Sequence, residues 1–219
     1  MTGVFSFRAP CALHRKWSVS SGLAPCSPPK WRLVDDSTPL TMDCMAIALT
    51  VGVRRAGPED AWAVTFVLKH AFSEYEPLYT RKGYEATTPK ATEVVTRMQE
   101  GPVYVAARGQ QIVGTGSVVR KETGFYLRGM AVLPMARSLG IGRLLLEHIE
   151  RVAVEENCAR LFLSTTPFLT RAICLYEAFG FKATAEGPHE LFGTPLLTME
   201  KLVVPKSGLT SIKCDGEDF

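Results

Sequence analysis

Between residues 103 and 133 apolar side chains recur with a period of two, and on either side of that stretch the period shifts toward 3.6. The alternating part predicts strands at Val103 to Ala107 and Gln111 to Arg120, joined as a hairpin through Arg108, Gly109 and Gln110. Phe125 to Leu133 is a further strand, ended by Pro134. Its best inward candidates, Leu127 and Met130, have opposite parity, which one extra residue near Arg128 and Gly129 would reconcile. The strand is therefore expected to carry a bulge. Upstream, Leu49 to Arg54 alternates as a first strand. Gly57 and Pro58 then open a helix to Phe72, with Trp62, Phe66 and Val67 on its apolar stripe. Thr88 and Pro89 fit the cap and first turn of a second helix running to about Met98.

Downstream, Gly140 to Glu156 is amphipathic, with Ile141, Leu145, Ile149 and Val152 on one face and Asn157 as its stop. Arg160 to Thr165 predicts a buried strand, Thr166 to Phe179 a helix closed by Gly180, and Phe181 to Ala185 and Leu196 to Val203 the last strands. The order β, α, α, β, β, β, α, β, α, β, β implies an α/β (α+β) domain built on a mixed sheet with helices on both faces.

Composition narrows the class. A chain of 219 residues with 46% hydrophobic residues suffices for one buried domain. The first 47 residues have five prolines and no sustained period, and Arg8, Arg15, Lys16, Lys30 and Arg32 all precede the first acid, Asp35. Such a stretch is either an organelle transit peptide or a translated leader upstream of a start at Met42 or Met45. The expected layout is extension 1–47, domain 48–204 and flexible tail 205–219. The net charge of +3 has no Lys/Arg stripe, so a small-molecule partner is expected and a nucleic acid is not. Six scattered cysteines without a C-x-x-C pair or a zinc-spaced His predict free thiols, no metal and a reducing compartment: the cytoplasm, or an organelle if 1–47 directs import. No apolar stretch nears the roughly 20 residues of a membrane span, so no membrane partner is expected.

The chemically informative stretch is Met130-Ala-Val-Leu-Pro134, followed by Arg137-Ser-Leu-Gly140-Ile-Gly142-Arg143 at the start of a helix. Glycines there let backbone N–H groups approach an anion, the helix end favours negative charge, and Arg137 and Arg143 add donors. Two other phosphate-binding patterns fail: a dinucleotide fingerprint would need Gly at Leu145, and no Gly-Lys-Ser/Thr is present. Gly114 and Gly116 lie mid-strand and mark a twist or bulge. By itself the turn from Arg137 to Gly142 is equally compatible with an ordinary strand-to-helix connection.

A second constellation, Ala172-Ile-Cys-Leu-Tyr176-Glu-Ala-Phe-Gly180-Phe181, changes that balance. With both stretches the sequence resembles the GNAT superfamily of acyl-coenzyme-A-dependent N-acetyltransferases. Arg137-Ser-Leu-Gly-Ile-Gly142 after Val132-Leu-Pro134 matches the family's coenzyme signature, Ala172 to Phe181 matches its Ala-x-x-Leu-Tyr-x-x-x-Gly-Phe pattern, and the element order agrees from about residue 49 to 203. The resemblance implies a single GNAT-like domain with a six- to seven-stranded sheet and a bulged central strand. It implies acetyl-CoA as co-substrate, with the backbone around Met130, Ala131 and Val132 against the pantetheine arm. The pyrophosphate would then lie on Arg137, Ser138, Leu139, Gly140, Ile141, Gly142 and Arg143. It also implies that Tyr176 is catalytic, protonating the departing thiolate, and that an amine on a small molecule or peptide attacks directly in a ternary complex.

Two positions depart from the family pattern. Leu169 stands seven residues before Tyr176 where many members have a coenzyme-contacting Asn, so that polar contact is either missing or supplied by Thr170 or Arg171, and Tyr126 stands where some have a carboxylate base. Glu74, Glu76, Glu85 and Glu122 are alternative bases, as is a water chain, and His189 in the turn before the last strand is either a site residue or an ordinary exposed one. Tyr75, Tyr79 and Tyr84 fall where the family builds its acceptor wall. Cys174, between Ile173 and Leu175, reads as a packed, inert thiol. The competing readings are a non-catalytic acyl-CoA-binding regulatory or structural module of the same fold and a basic nucleic-acid binder. A monomer or homodimer is expected.

Overall fold

The structure is a computed structural model and describes residues 51–204. The extension 1–47, its boundary and the tail 205–219 lie outside the described residues. A seven-stranded sheet in the order β1-β2-β3-β4-β5-β9-β6 organises the domain: β1 Val51–Arg55, β2 Val103–Arg108, β3 Gln111–Lys121, β4 Gly124–Val132, β5 Arg160–Thr165, β9 Leu197–Leu202 and β6 Lys182–Thr184. All neighbours pair antiparallel except β4 and β5. A separate two-stranded ribbon joins β7 Glu190–Leu191 to β8 Thr194–Pro195. The expected α/β architecture on a mixed sheet of six to seven strands is therefore present, with seven.

Helices cover both faces. On one lie α1 (Ala61–Phe72) and α3 (Ala91–Glu100), packed on each other; on the other lies α4 (Ile141–Glu155), whose Ile141, Leu145, Leu146 and Ile149 are buried. The stripe of α1 differs from expectation. Val64, Val67, Leu68 and Ala71 face the core, while Trp62 is 78% and Phe66 51% exposed. Side chains at 64, 67, 68 and 71 follow the helical period, and a stripe drawn through 62 and 66 lies on the opposite side of the cylinder. Phe66 instead meets His70, one turn on, with ring centroids 3.8 Å apart.

Helix boundaries also shift. α3 starts at Ala91 with Lys90 as its cap, the Glu93 side chain accepting from the Lys90 amide at 2.7 Å. α5 occupies Thr170–Ala178, because Thr166 and Pro167 belong to the turn before it. A helix α2 (Arg81–Thr87) occupies the stretch between the expected first and second helices. It carries Gly83 and no apolar stripe, so no periodic signal marked it. Thr80 caps it by accepting from the Gly83 amide at 3.1 Å. The β7–β8 ribbon braces it: the Thr80 amide donates to Thr194 Oγ1 (3.1 Å) and the Thr80 hydroxyl to the Phe192 carbonyl (2.8 Å).

Candidate active site

The site begins with the parity conflict in β4. Thr115 pairs with Ala131 and Ser117 with Arg128, so two residues of β4, Gly129 and Met130, stand opposite Gly116 alone. This is the bulge, and Gly129 supports it at φ 62. Gly116 leaves room on the opposite strand, since a Cβ there would collide with Met130 Sδ.

The bulge opens the sheet. β4 and β5 pair only through Phe125–Leu161, Tyr126–Phe162 and Leu127–Leu163, whereas β5 continues against β9 to Thr165. Beyond Leu127 the two parallel strands part. The Leu133 amide donates to the Val113 carbonyl of β3 at 2.9 Å. By strand alternation Ala131 also faces β3, and Met130 and Val132 present their N–H and C=O groups to the gap. Of the three residues expected along the pantetheine arm, Ala131 thus has its polar backbone engaged and lines the cleft only beside its neighbours.

A cleft of about 990 Å³ occupies this gap. At one end it reaches the loop ahead of α4. There Ser138 has φ 66 and Gly140 φ 74, left-handed conformations that reverse the chain just before the helix. Leu144 is the first residue of α4 to bond an intrahelical carbonyl, that of Gly140 at 2.9 Å, so the amides of Ile141, Gly142 and Arg143 have no intrahelical acceptor. Gly142 also lets α5 approach: a Cβ there would stand 2.8 Å from Leu175 Cδ2, which would have to move aside.

Not every residue of the expected anion site turns its polar groups to the cleft. The Arg137 amide donates to the Pro134 carbonyl at 3.3 Å. Its guanidinium pairs with Glu74 and donates to the Ala71 carbonyl at 3.0 Å, tying the loop to the end of α1. Arg137 is therefore first a bracket between loop and helix. Leu139 is 59% exposed and does not line the cleft. Ser138, Gly140, Ile141, Gly142 and Arg143 do line it, and Arg143 Nε also donates to Glu147 at 2.9 Å.

Tyr176 reaches the cleft from α5. It is 6% exposed and packs on Phe181, with centroids 5.8 Å apart. Burial, with the neighbouring Tyr126 and Tyr79 adding to it, pushes the phenol well above its ordinary range, so it keeps its proton at any physiological pH. Leu169, in place of the family's Asn, is a buried apolar residue immediately before α5, while Thr170 and Arg171 line the cleft in its exposed first turn. Cys174 is exposed at the cleft rather than packed, because Ile173 and Leu175, not Cys174, carry the inner side of that turn.

None of the expected acids enters. Glu74 is held by Arg137, Glu85 by Arg81 on the surface, Glu122 lies exposed in the β3–β4 turn, Glu76 is exposed, and the exposed His189 accepts from Leu196 through its carbonyl. Among the described residues the cleft is lined by five arginines (97, 128, 137, 143 and 171) and by no Asp, Glu or His. Tyr75 and Tyr79 line the cleft and pack on Phe168, at 6.4 and 4.9 Å, while Tyr84, outside the lining, packs on Tyr79 at 6.1 Å. The sequence reading missed Arg97 and Arg128. The available signal was Arg128, a charged residue next to a Gly in an otherwise apolar strand.

A family model described as the acetyltransferase (GNAT) family matches residues 65–181, from α1 to the end of the Tyr176 motif. The chain belongs to the GNAT family. Among relatives of this GNAT protein, the uncharacterized N-acetyltransferase YjgM of Escherichia coli is 31% identical over 136 residues, spanning 59% of this chain and 81% of that one. In fold it resembles the PaiA N-acetyltransferase of Thermoplasma acidophilum in complex with coenzyme A (TM-score 0.61, 16% identity, 70% of this chain and 99% of that chain). It also resembles yncA of Salmonella typhimurium with its cofactor acetyl-CoA (TM-score 0.56, 21% identity, 70% and 94%). Among the described residues no helix is long and apolar enough to cross a membrane, and no three His, Cys, Asp or Glu side chains cluster as metal ligands.

Proposed function

We propose that the protein is an N-acetyltransferase that moves an acetyl group from acetyl-CoA to a primary amine by direct attack within a ternary complex. One observation carries the proposal. A single cleft joins helix-end amides lacking an intrahelical acceptor, the open backbone edge of a bulged strand and a buried phenol that retains its proton. The residues fit the coenzyme by their chemistry. The amides of Ile141, Gly142 and Arg143 suit a pyrophosphate, and the edge at Met130 and Val132 suits an amide-bearing arm. Acetyl-CoA would supply an acyl group already activated as a thioester.

The chain then has two tasks. The β4–β5 gap holds the two reactants side by side and displaces water, so proximity and orientation supply much of the rate. Tyr176 holds a proton at Oη and presents it to the departing sulfur. With no carboxylate or imidazole in the lining, the amine's proton leaves through water. That same absence favours, as a second reading, a non-catalytic acyl-CoA-binding module. Screening thiol release from acetyl-CoA over a panel of amines separates the two. Turnover with any acceptor supports transfer, and coenzyme binding with no turnover across the panel supports the module.

A further inference from the structure

The end of the cleft remote from α4 holds two guanidinium groups that the coenzyme chemistry leaves unused. Arg128 pairs across the sheet with Ser117, whose hydroxyl donates to the Arg128 carbonyl at 3.0 Å. Arg128 contacts Glu100 of α3, and Ser117, its cross-strand partner and therefore on the same face, stands with Leu68 of α1 beside Gly129; Arg128 thus lies on the α1–α3 face, two residues from Tyr126 on the same side. Its Nε and Nη2 are buried and neither makes a hydrogen bond. Nη2 does lie 2.5 Å from Glu100 Oε2, but off hydrogen-bonding alignment, and the Glu100 side chain is 46% exposed at the end of α3. Nε and Nη2 form one edge of the guanidinium, the pair of parallel donors that matches the two oxygens of a carboxylate.

Arg97 of α3 is the second cation. Its Nη2 donates to the Ala86 carbonyl at 2.7 Å. Burial, and then the nearby charge of Arg128, lower its pKa, with Glu100 and Glu93 only partly offsetting them. The two neighbouring guanidinium groups repel each other, and the half-exposed Glu100 at the rim offsets this only in part, so a further anion between them is favoured. Tyr126 links this end to the reacting centre, since it lies near both Arg97 and Tyr176. Tyr75 and Tyr79, which pack on Phe168, line the same cleft.

We propose that the acceptor is an amine that also carries a carboxylate, an amino acid by class, and that the Nε/Nη2 edge of Arg128, assisted by Arg97, receives that carboxylate. The proposal rests on the acetyl-transfer reading for its activity test but not for its binding test. A single buried charge-assisted pair implies a carboxylate preference of about 10- to 100-fold in kcat/KM. An excess of arginines also disfavours polyamines, which would bring positive charge to a positive site.

The experiment compares amino acids with their amides, their decarboxylated amines and O-phosphoethanolamine. Transfer is one readout, and calorimetric binding to the protein saturated with coenzyme A is the other. The free acids should lead, and Arg128→Gln should collapse their lead to near unity by raising KM, while the coenzyme-induced rise in Tm persists. Persistence of that rise also shows that the variant is folded. Glu100→Gln, which removes the anion now touching Nη2, should tighten the free acids severalfold. Equal use of acids and amides, a lead for phosphoethanolamine, or an acid preference untouched by Arg128→Gln overturns the proposal. Arg128-dependent binding of amino acids without any transfer would keep the anion site and overturn the acetyl-transfer reading instead.

Discussion

Replacing Tyr176 by Phe keeps the ring against Phe181 and removes the hydroxyl with its proton. Its magnitude follows from burial. A phenol pushed above its ordinary value of about 10 is a weaker acid than a thiol of about 8.5, so complete transfer to sulfur is uphill by more than about 2 kcal/mol. Tyr176 therefore stabilises the departing thiolate mainly as a hydrogen-bond donor, worth about 1.5–3 kcal/mol to a charged acceptor, or about 10- to 150-fold in rate. Tyr176→Phe should lower kcat by that factor with little change in KM for the coenzyme, read in a rapid-quench single turnover where product release cannot mask chemistry. The same substitution has a second signature. Because the folded phenol is shifted up, the unfolded chain loses its proton first. The contribution is whole below about pH 10 and is lost as pH rises further, by up to about 1.4 kcal/mol per pH unit. Tyr176→Phe should flatten that alkaline limb of the urea-unfolding profile, leaving the share of Tyr79, Tyr84 and Tyr104, which are shifted in the same direction. Full single-turnover activity in the variant would falsify the donor role and leave water as the source of the proton.

Three further outcomes are expected. Gly116→Ala should cost about 1–3 kcal/mol in chemical denaturation, because its methyl meets Met130 Sδ, and Met130→Ala in the same chain should recover most of that loss; additive costs would show that the two residues do not share the bulge. Gly140→Val has open space for its Cβ but a φ of 74, so about 1–2 kcal/mol of backbone strain and loss of the acetyl-CoA-induced rise in Tm are expected; an unchanged rise would move the coenzyme away from this loop. Arg137→Ala should destabilise by about 1–2 kcal/mol even without ligand, since it frees Glu74 and the Ala71 carbonyl; unaltered Tm of the free protein would show that the bracket contributes nothing and that Arg137 serves the ligand alone.

Local chemistry alone marked much of this protein. The opposite parity of Leu127 and Met130 located the bulge, because a strand's period of two admits no other way to bury both sides of it. Glycines before an amphipathic helix located α4 and the free amides at its start, and the Tyr176 motif located a phenol on α5. These features depend on neighbours a few residues away, which a single sequence displays. What it does not display is partnership across the chain. Helix α2 has no stripe and holds through Thr80 and the ribbon 114 residues away at Thr194. Arg137, read as a phosphate ligand, is turned by Glu74, 63 residues upstream. Trp62 and Phe66 face solvent because the sheet beneath α1 receives Val64, Val67 and Leu68 instead. Arg128 and Arg97 lie 31 positions apart in sequence and become one cationic site only when α3 packs beside β4. Period and propensity fix which elements form; burial and charge, which act through space, decide which side chains they bring together.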